Sequence, residues 1–415
     1  MTRDTLDLDF CRAQFPLLKD PDADAYFENA GGSYVPSQVI ARMSDFMSDS
    51  QTQPEWYFAA SKRGMARIDY ARTGMAALLN ISPDEMVVGP STTLNAYVLS
   101  HALRPLMADG DAIVVTNQDH EANGGCWRRW GDTGIEVREW RIDPGTGDLN
   151  TEDLASLLAD GKVRLVAFPH VSNIVGSVND VKAIAGMARD AGAISVCDGV
   201  AAVAHTLPDL KDIGVDFYFF SFYKLYGPHL AMMYAAADRI PRLKNQNHFF
   251  HEGNGIAHLN PGGMNYESVG AIGGTLDYFD MLYDHHAGEP ANDPRARAQF
   301  VYRLFQEQER AVMVRFLEWL DGHPEIRLIG RRESDPARRA ATFSLSIPGR
   351  NPDDLAQALA DDGLCVGAGH FYGYRCVEGL GIDPEVGVLR ISMVHYTTLA
   401  EVDRLTGALD RLIAA

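Results

Sequence analysis

Apolar residues along this chain fall into short continuous runs, separated by stretches in which they recur every three or four positions. The runs at residues 111–116, 163–168, 194–197, 217–220 and 230–234 predict strands buried on both faces. Between them, residues 151–159 predict a helix. Leu154, Leu157 and Leu158 share one face, and Glu152 and Asp153 occupy the first turn, where the helix dipole favours acids. A second helix is predicted over 181–191, with Gly192 as its stop signal. Such alternation predicts an α/β fold with a mostly parallel sheet covered on both faces. In such sheets, ligands bind beyond the carboxyl ends of the strands. After Asp284 the pattern changes. Residues 290–297, polar and carrying Pro290 and Pro294, predict a connector. Residues 298–320 predict a long helix with Phe300, Leu304, Val312, Phe316 and Leu320 along one stripe. Strands at 342–347, 365–369 and 388–393 and a closing helix at 400–413 complete a smaller α+β domain.

Composition supports this picture. The 415 residues are 46% hydrophobic and 22% charged, enough for a large core. A net charge of −19 argues against nucleic acid or an anionic membrane as partner and leaves a small-molecule enzyme as the default. The five cysteines include no CxxC pair, and an odd count does not make a disulfide framework, so a reducing cytoplasm is expected. Residues 1–9 interleave acids with apolar residues, without the basic start and apolar run of a signal peptide. No apolar run has the length of a membrane span.

The chemistry-bearing residues cluster just after the predicted strands. Cys197-Asp198-Gly199 ends one, and Ser221-Phe222-Tyr223-Lys224-Leu225-Tyr226-Gly227-Pro228 ends another. Asp119-His120-Glu121-Ala122-Asn123, His170-Val171-Ser172-Asn173 and Ser91-Thr92 follow three more, the last after a strand at 86–88. All five project to one sheet edge. An amine, an acid, an imidazole and hydroxyls gathered there are what pyridoxal 5′-phosphate requires. The amine forms a Schiff base, the acid keeps the ring nitrogen protonated, a flat side chain stacks on the ring, and hydroxyls with helix N-terminal amides hold the phosphate. Taken singly, Lys224 reads as a loop lysine, Asp198, Ser91 and Thr92 as helix caps, and Arg390 as an ion-pair partner. Gly253-Asn254-Gly255 lacks the third glycine of a dinucleotide fingerprint. His248, His251 and Glu252, and Asp284-His285-His286, lack a third-ligand pattern, so they read as loop residues and no metal is expected.

The ordered series DHEAN, HVSN-IVG, CDG and SFYKLYGP, with Tyr26-Phe27-Glu28-Asn29-Ala30-Gly31-Gly32 before it, resembles the class V aminotransferase family of fold-type I pyridoxal enzymes. The branch it resembles is that of cysteine desulfurases and selenocysteine lyases. The resemblance implies a large cofactor-binding domain over 31–288 with a seven-stranded type of sheet. It also implies a small domain over 289–415 and an N-terminal segment, 1–30, packed on the small domain. It implies that Lys224 bears the aldimine, Asp198 pairs with the pyridine nitrogen, His120 stacks on the ring and Asn173 meets its hydroxyl. Thr92, Ser221 and, more weakly, Ser91 bind phosphate, and Tyr223 and Gly263 join the cofactor site. Arg390 grips the substrate carboxylate, with Asn29 and Gly31 beside it, and the active sites form at a homodimer interface.

The chain also departs from the branch. Ala201 stands for a glutamine, Tyr223 for a histidine, Gly263 for a threonine and Gly367 for an arginine. Tyr372 stands where the branch carries its sulfur-accepting cysteine, and a phenol of pKa ~10 does not replace a thiolate. Cys376, four residues on, reads as an incidental thiol, with a nucleophile brought in by a mobile loop as the alternative. The expected enzyme acts on a small α-amino acid through an external aldimine and a carbanion. Its expected outcome is desulfurase-like β-elimination of the carbon–sulfur type, with transamination as the alternative and racemisation third. Tyr372 is the fourth catalytic candidate, beside Lys224, His120 and Asp198. A catalytically silent protein that keeps the fold is a further alternative, and a nucleotide-binding α/β protein a remote one.

Overall fold

A computed structural model describes residues 5–20 and 23–414 of the chain. Seven strands form one sheet in the order Met86–Gly89, Ala231–Ala235, Phe217–Ser221, Ile194–Asp198, Val163–Pro169, Ala112–Thr116 and Glu136–Trp140. Five of them run parallel, from Phe217–Ser221 to Glu136–Trp140, and Ala231–Ala235 is antiparallel to both its neighbours. The continuous apolar runs are buried on both faces, as their lack of alternation requires. The sheet lies between two apolar clusters, one built on Trp140, Phe168, Tyr218 and Tyr278, the other on Leu99, Trp127, Trp130 and Phe219.

A second sheet of four strands, Gly367–Gly369, Val388–Ser392, Thr342–Ser346 and Arg327–Ile329, is antiparallel throughout. Its core holds Phe343, Leu389 and Leu405 together with Ala25 and Phe27. The two-residue strand Ala25–Tyr26 pairs in parallel with Leu364–Cys365. Cys11, Phe15 and Leu18 pack instead into the larger core, so the segment before residue 30 is divided between both cores. The helix Pro294–Asp321 starts inside the predicted connector, because Asp293 caps it by accepting from Arg295 N at 3.0 Å and Pro294 suits a first turn. This helix spans both cores: Ala298, Val301 and Phe305 belong to the larger one, and Val312, Phe316 and Leu320 to the smaller.

Three helices outside the predicted elements, Ser37–Asp49, Ala59–Leu78 and Tyr266–His286, pack on one another and contribute Phe46, Ile68, Met75 and Ile272 to the larger core. The edge strand Glu136–Trp140 was also not expected. Its charged residues, Glu136, Arg138 and Glu139, suit a sheet edge and mask the apolar pattern.

Candidate active site

The chain leaves Ala112–Thr116 outward to the edge strand and returns to Val163–Pro169 on the other side, so the strand order reverses between these two neighbours. Ligands of open parallel sheets sit at such a reversal. One cavity lies at the carboxyl ends of the strands. Ser91, Thr92, His120, Asn173, Asp198, Ser221, Tyr223 and Lys224 all line it, as does Ala201. Thus residues from five separate predicted groups meet in one space. A larger cleft shares the Val171 wall and is edged by Arg303, Arg310 and Asp335, but it lacks the amine and acid found in the smaller one.

Lys224 follows the Phe217–Ser221 strand in a short 3₁₀ turn and is buried. It makes no hydrogen bond or ion pair among the described residues. Burial pushes its ammonium down to about 8, and the nearby Arg390 charge adds to this, while Asp198 and Glu28 work against it. Asp198 closes the Ile194–Asp198 strand. Its Oδ1 accepts from Val200 N at 2.8 Å, and burial pushes the carboxyl up to about 6. His120 caps the helix Glu121–Arg128, its Nδ1 accepting from Ala122 N at 3.0 Å. That bond fixes the tautomer, and burial, with help from Lys224 and Arg390, lowers its pKa to about 3, so the ring is neutral. Asp119 braces the same turn by accepting from Thr116 Oγ1 and from Asn123 Nδ2.

Thr92 opens the helix Thr92–Leu103, and its hydroxyl shares a hydrogen bond of 2.8 Å with Ser221 Oγ. Ser91 Oγ is engaged as the cap, accepting from Leu94 N at 3.2 Å. Asn173 Nδ2 donates to the Phe371 carbonyl at 3.0 Å. A paired set of hydroxyls at a helix N-terminus, a neutral imidazole, a buried acid and an unpaired amine in one cavity fit pyridoxal 5′-phosphate group by group.

A family model of aminotransferase class V matches residues 25–241 and 298–405. The chain belongs to the class-V aminotransferase family. This class-V member is 32% identical over 423 aligned residues to the aminotransferase-like protein FGM3 of Gibberella zeae, covering 100% of each chain. It is 30% identical to the cysteine desulfurase-like protein ustD of Aspergillus flavus, covering 98% of this chain and 91% of that one. It is 28% identical to a cysteine desulfurase of Yersinia pseudotuberculosis, covering 97% of each. Among solved structures, the cysteine desulfurase of Thermococcus onnurineus aligns with a TM-score of 0.86 at 22% identity over 100% of both chains. The cysteine desulfurase CsdA of Escherichia coli aligns with 0.82 at 23% over 99% of both. These two share the fold: the mostly parallel central sheet and the smaller C-terminal part. The class-V match makes the chain a pyridoxal-phosphate-dependent enzyme, since the family normally uses that cofactor. No helix among the described residues is long and apolar enough to cross a membrane.

The remaining predicted residues are not in the lining of this class-V cavity. Arg390 is buried on the Val388–Ser392 strand and bonded to Glu28 and Asn173. Asn29 donates to the carbonyls of Ser392 (2.9 Å) and Tyr26 (3.2 Å) and accepts from Tyr396, so its side chain is committed within the protein. Gly31 sits over the Glu28 carboxyl. Gly263 lies in an exposed loop with only Tyr266 Oη near it, at 4.0 Å from where its Cβ would be. Tyr372 is 68% exposed, and its ring centroid is 5.2 Å from that of His120. Its carbonyl accepts from Glu121 N at 2.8 Å, and Arg375 pairs with Glu121, so the loop is latched to the His120 helix. Cys376 is buried in the next helix, and burial pushes its thiol up to about 12. His248, His251 and Glu252 lie on and beside a short exposed 3₁₀ turn. Sequence reasoning gave no role to Thr93, Ala122, Pro169, Val171 and Val200 in the lining. Each lies in or next to one of the five motifs; four of them are apolar and carry no chemical signal, and Thr93 follows a threonine that already fills the hydroxyl role.

Proposed function

We propose that this chain is a pyridoxal-phosphate-dependent lyase that eliminates a β-substituent from a small α-amino acid, in carbon–sulfur chemistry related to that of desulfurases. The observation that carries this reading is the buried, unpaired Lys224 amine sharing one cavity with Asp198, His120 and the Thr92–Ser221 pair. No cysteine is among the cavity-lining residues, and elimination needs none. When bound, the cofactor supplies a protonated pyridine ring that draws electrons from the substrate α-carbon.

The chain's own groups do the rest. Lys224 would hold the cofactor aldehyde through its amine and is the base in this cavity that would take a substrate α-proton. Asp198 would keep the ring nitrogen protonated. Neutral His120 would supply the flat face for the ring, and Asn173 and Tyr223 would help to hold it. Thr92, Ser221 and the Ser91-capped helix end hold the phosphate. Gly263, exposed in its loop, would meet the cofactor site across a homodimer interface. Arg390 anchors the substrate carboxylate, and Asn29 and Gly31 shape the turn beside it. Trp56, Tyr57, Phe249 and Phe250 are exposed aromatics that support a homodimer interface. Five free cysteines support a cytoplasmic setting.

Transamination is the second reading, favoured by the full-length likeness to the aminotransferase-like protein of Gibberella zeae. An amino-acid panel with mass-spectrometric product analysis decides. Keto acid with ammonia selects the lyase, aminated cofactor selects the aminotransferase, and inverted chirality selects a racemase. Inertness across the panel would mean a silent protein.

Two further results are expected here. The rate at which cofactor-free protein captures the aldehyde should rise with pH to a plateau, with its midpoint at about 8, because only the neutral amine attacks and Lys224 is lowered from 10.5. Stopped-flow absorbance reads this, and a midpoint above 10 would contradict the buried amine. Replacing Tyr372 with Phe should leave turnover unchanged, because the loop is latched by its carbonyl and the side chain is exposed. A loss of ~10²-fold in steady-state kinetics would instead assign the hydroxyl as a general acid.

A further inference from the structure

Glu28 stands within the Tyr26–Gly32 motif. Its Oε1 accepts from Arg390 Nη2, and its Oε2 is enclosed without a hydrogen-bond partner. Arg390 is 2% exposed. Among the described residues it reaches, besides Glu28, only the Asn173 carbonyl at 3.2 Å and the face of Phe371 at 3.6 Å, and its Nε has no partner. Two glycines admit the carboxyl to this place. A Cβ on Gly31 would stand 2.6 Å from Oε1, and one on Gly367 would stand 2.8 Å from Oε2 and 2.7 Å from the Phe371 ring. The position at which the branch carries an arginine is therefore the space into which this carboxylate fits.

The guanidinium edge that would grip a substrate carboxylate is thus already held by a carboxylate of the chain. Two carboxylates on one desolvated cation repel, and neither partner of a buried pair is stable when left alone. An arriving ligand must therefore exchange with Glu28, anion for anion.

We propose that Glu28 is a displaceable internal counter-ion that sets substrate specificity, holding the carboxylate site of Arg390 until a substrate carboxylate replaces it. This rests on the reading of Arg390 as the carboxylate anchor.

The test uses the cofactor-loaded protein with propionate as probe and propionamide as neutral control. Dissociation constants are read by ligand-observed NMR and from the cofactor absorbance. Glu28→Gln keeps the shape and removes the competing charge, so propionate should bind at least tenfold tighter than to the natural protein, with propionamide unchanged. A merely structural Glu28 would give the opposite sign. Should Glu28→Gln fail to fold, Gly367→Ala, which crowds the carboxyl out of its place, should tighten propionate likewise. The double variant E28Q/R390Q removes both charges together and should lose propionate. If it loses propionate while E28Q binds no tighter than the natural protein, the counter-ion proposal is overturned and the anchor stands. If it binds propionate as tightly as E28Q does, the anchor reading itself fails, and the proposal with it.

Discussion

Replacing Lys224 with alanine is expected to abolish covalent capture of pyridoxal 5′-phosphate and to lower turnover by about 10³-fold or more. The same amine is asked to do two things, and each alone is worth ~10²–10⁴-fold in comparable chemistry. Its surroundings are matched to both. Burial lowers the ammonium to about 8, so a substantial neutral fraction exists near pH 7 that an exposed lysine lacks. No partner among the described residues holds the nitrogen back. Arginine should not rescue the loss, because a guanidinium stays protonated and cannot act as nucleophile or base. Borohydride treatment followed by peptide mass spectrometry reads the result directly. Added mass on another lysine, with turnover retained, would remove Lys224 from the reaction.

Asp198→Asn is expected to cost ~10²–10³-fold in turnover while leaving the fold intact. The two halves of that expectation have separate causes. The carboxylate is buried at a strand end with one backbone donor, and under the proposed function its charge would meet the positive nitrogen of the cofactor ring. Asparagine keeps the size and the Val200 contact but cannot stabilise that charge. For stability the sign is the reverse. The folded carboxyl binds its proton more tightly than the unfolded one, with a pKa raised from 3.8 to about 6. Stability of the cofactor-free protein therefore falls as pH rises through that window, and the penalty is complete above it. Asn removes this slope, so the variant should melt no lower than the natural protein at pH 7. Steady-state kinetics and thermal melts across pH 4 to 7 check both. A variant with full turnover, or one that unfolds, would show Asp198 to be a structural cap.

Much of the frame was legible because it follows from local pattern. Strands such as Val163–Pro169 are buried on both faces and read as continuous apolar runs, and their motifs sit directly after them. The three helices Ser37–Asp49, Ala59–Leu78 and Tyr266–His286 were less legible. They pack on one another, with Gly270, Gly273 and Gly274 of the last helix lying against Phe46, Tyr70 and Val39, so their placement rests on contacts between residues far apart in the chain. Cys376 shows the limit from the other side. Four residues from Tyr372 in sequence, it faces a core with Ile142 and Ile174, because the intervening turn starts a helix that points it inward.

By itself, the sequence determined the family, the order of the strands' chemical groups and the identity of the amine and acid, since motif spacing and apolar runs are properties of neighbouring residues. Only the tertiary structure decided that Arg390 is already paired with Glu28, that Asn29 is committed within the chain and that Tyr372 faces solvent over His120. Glu28 and Arg390 are separated by 362 residues. Their meeting depends on how two sheets and the N-terminal segment pack, and no local pattern encodes a contact made at that distance along the chain.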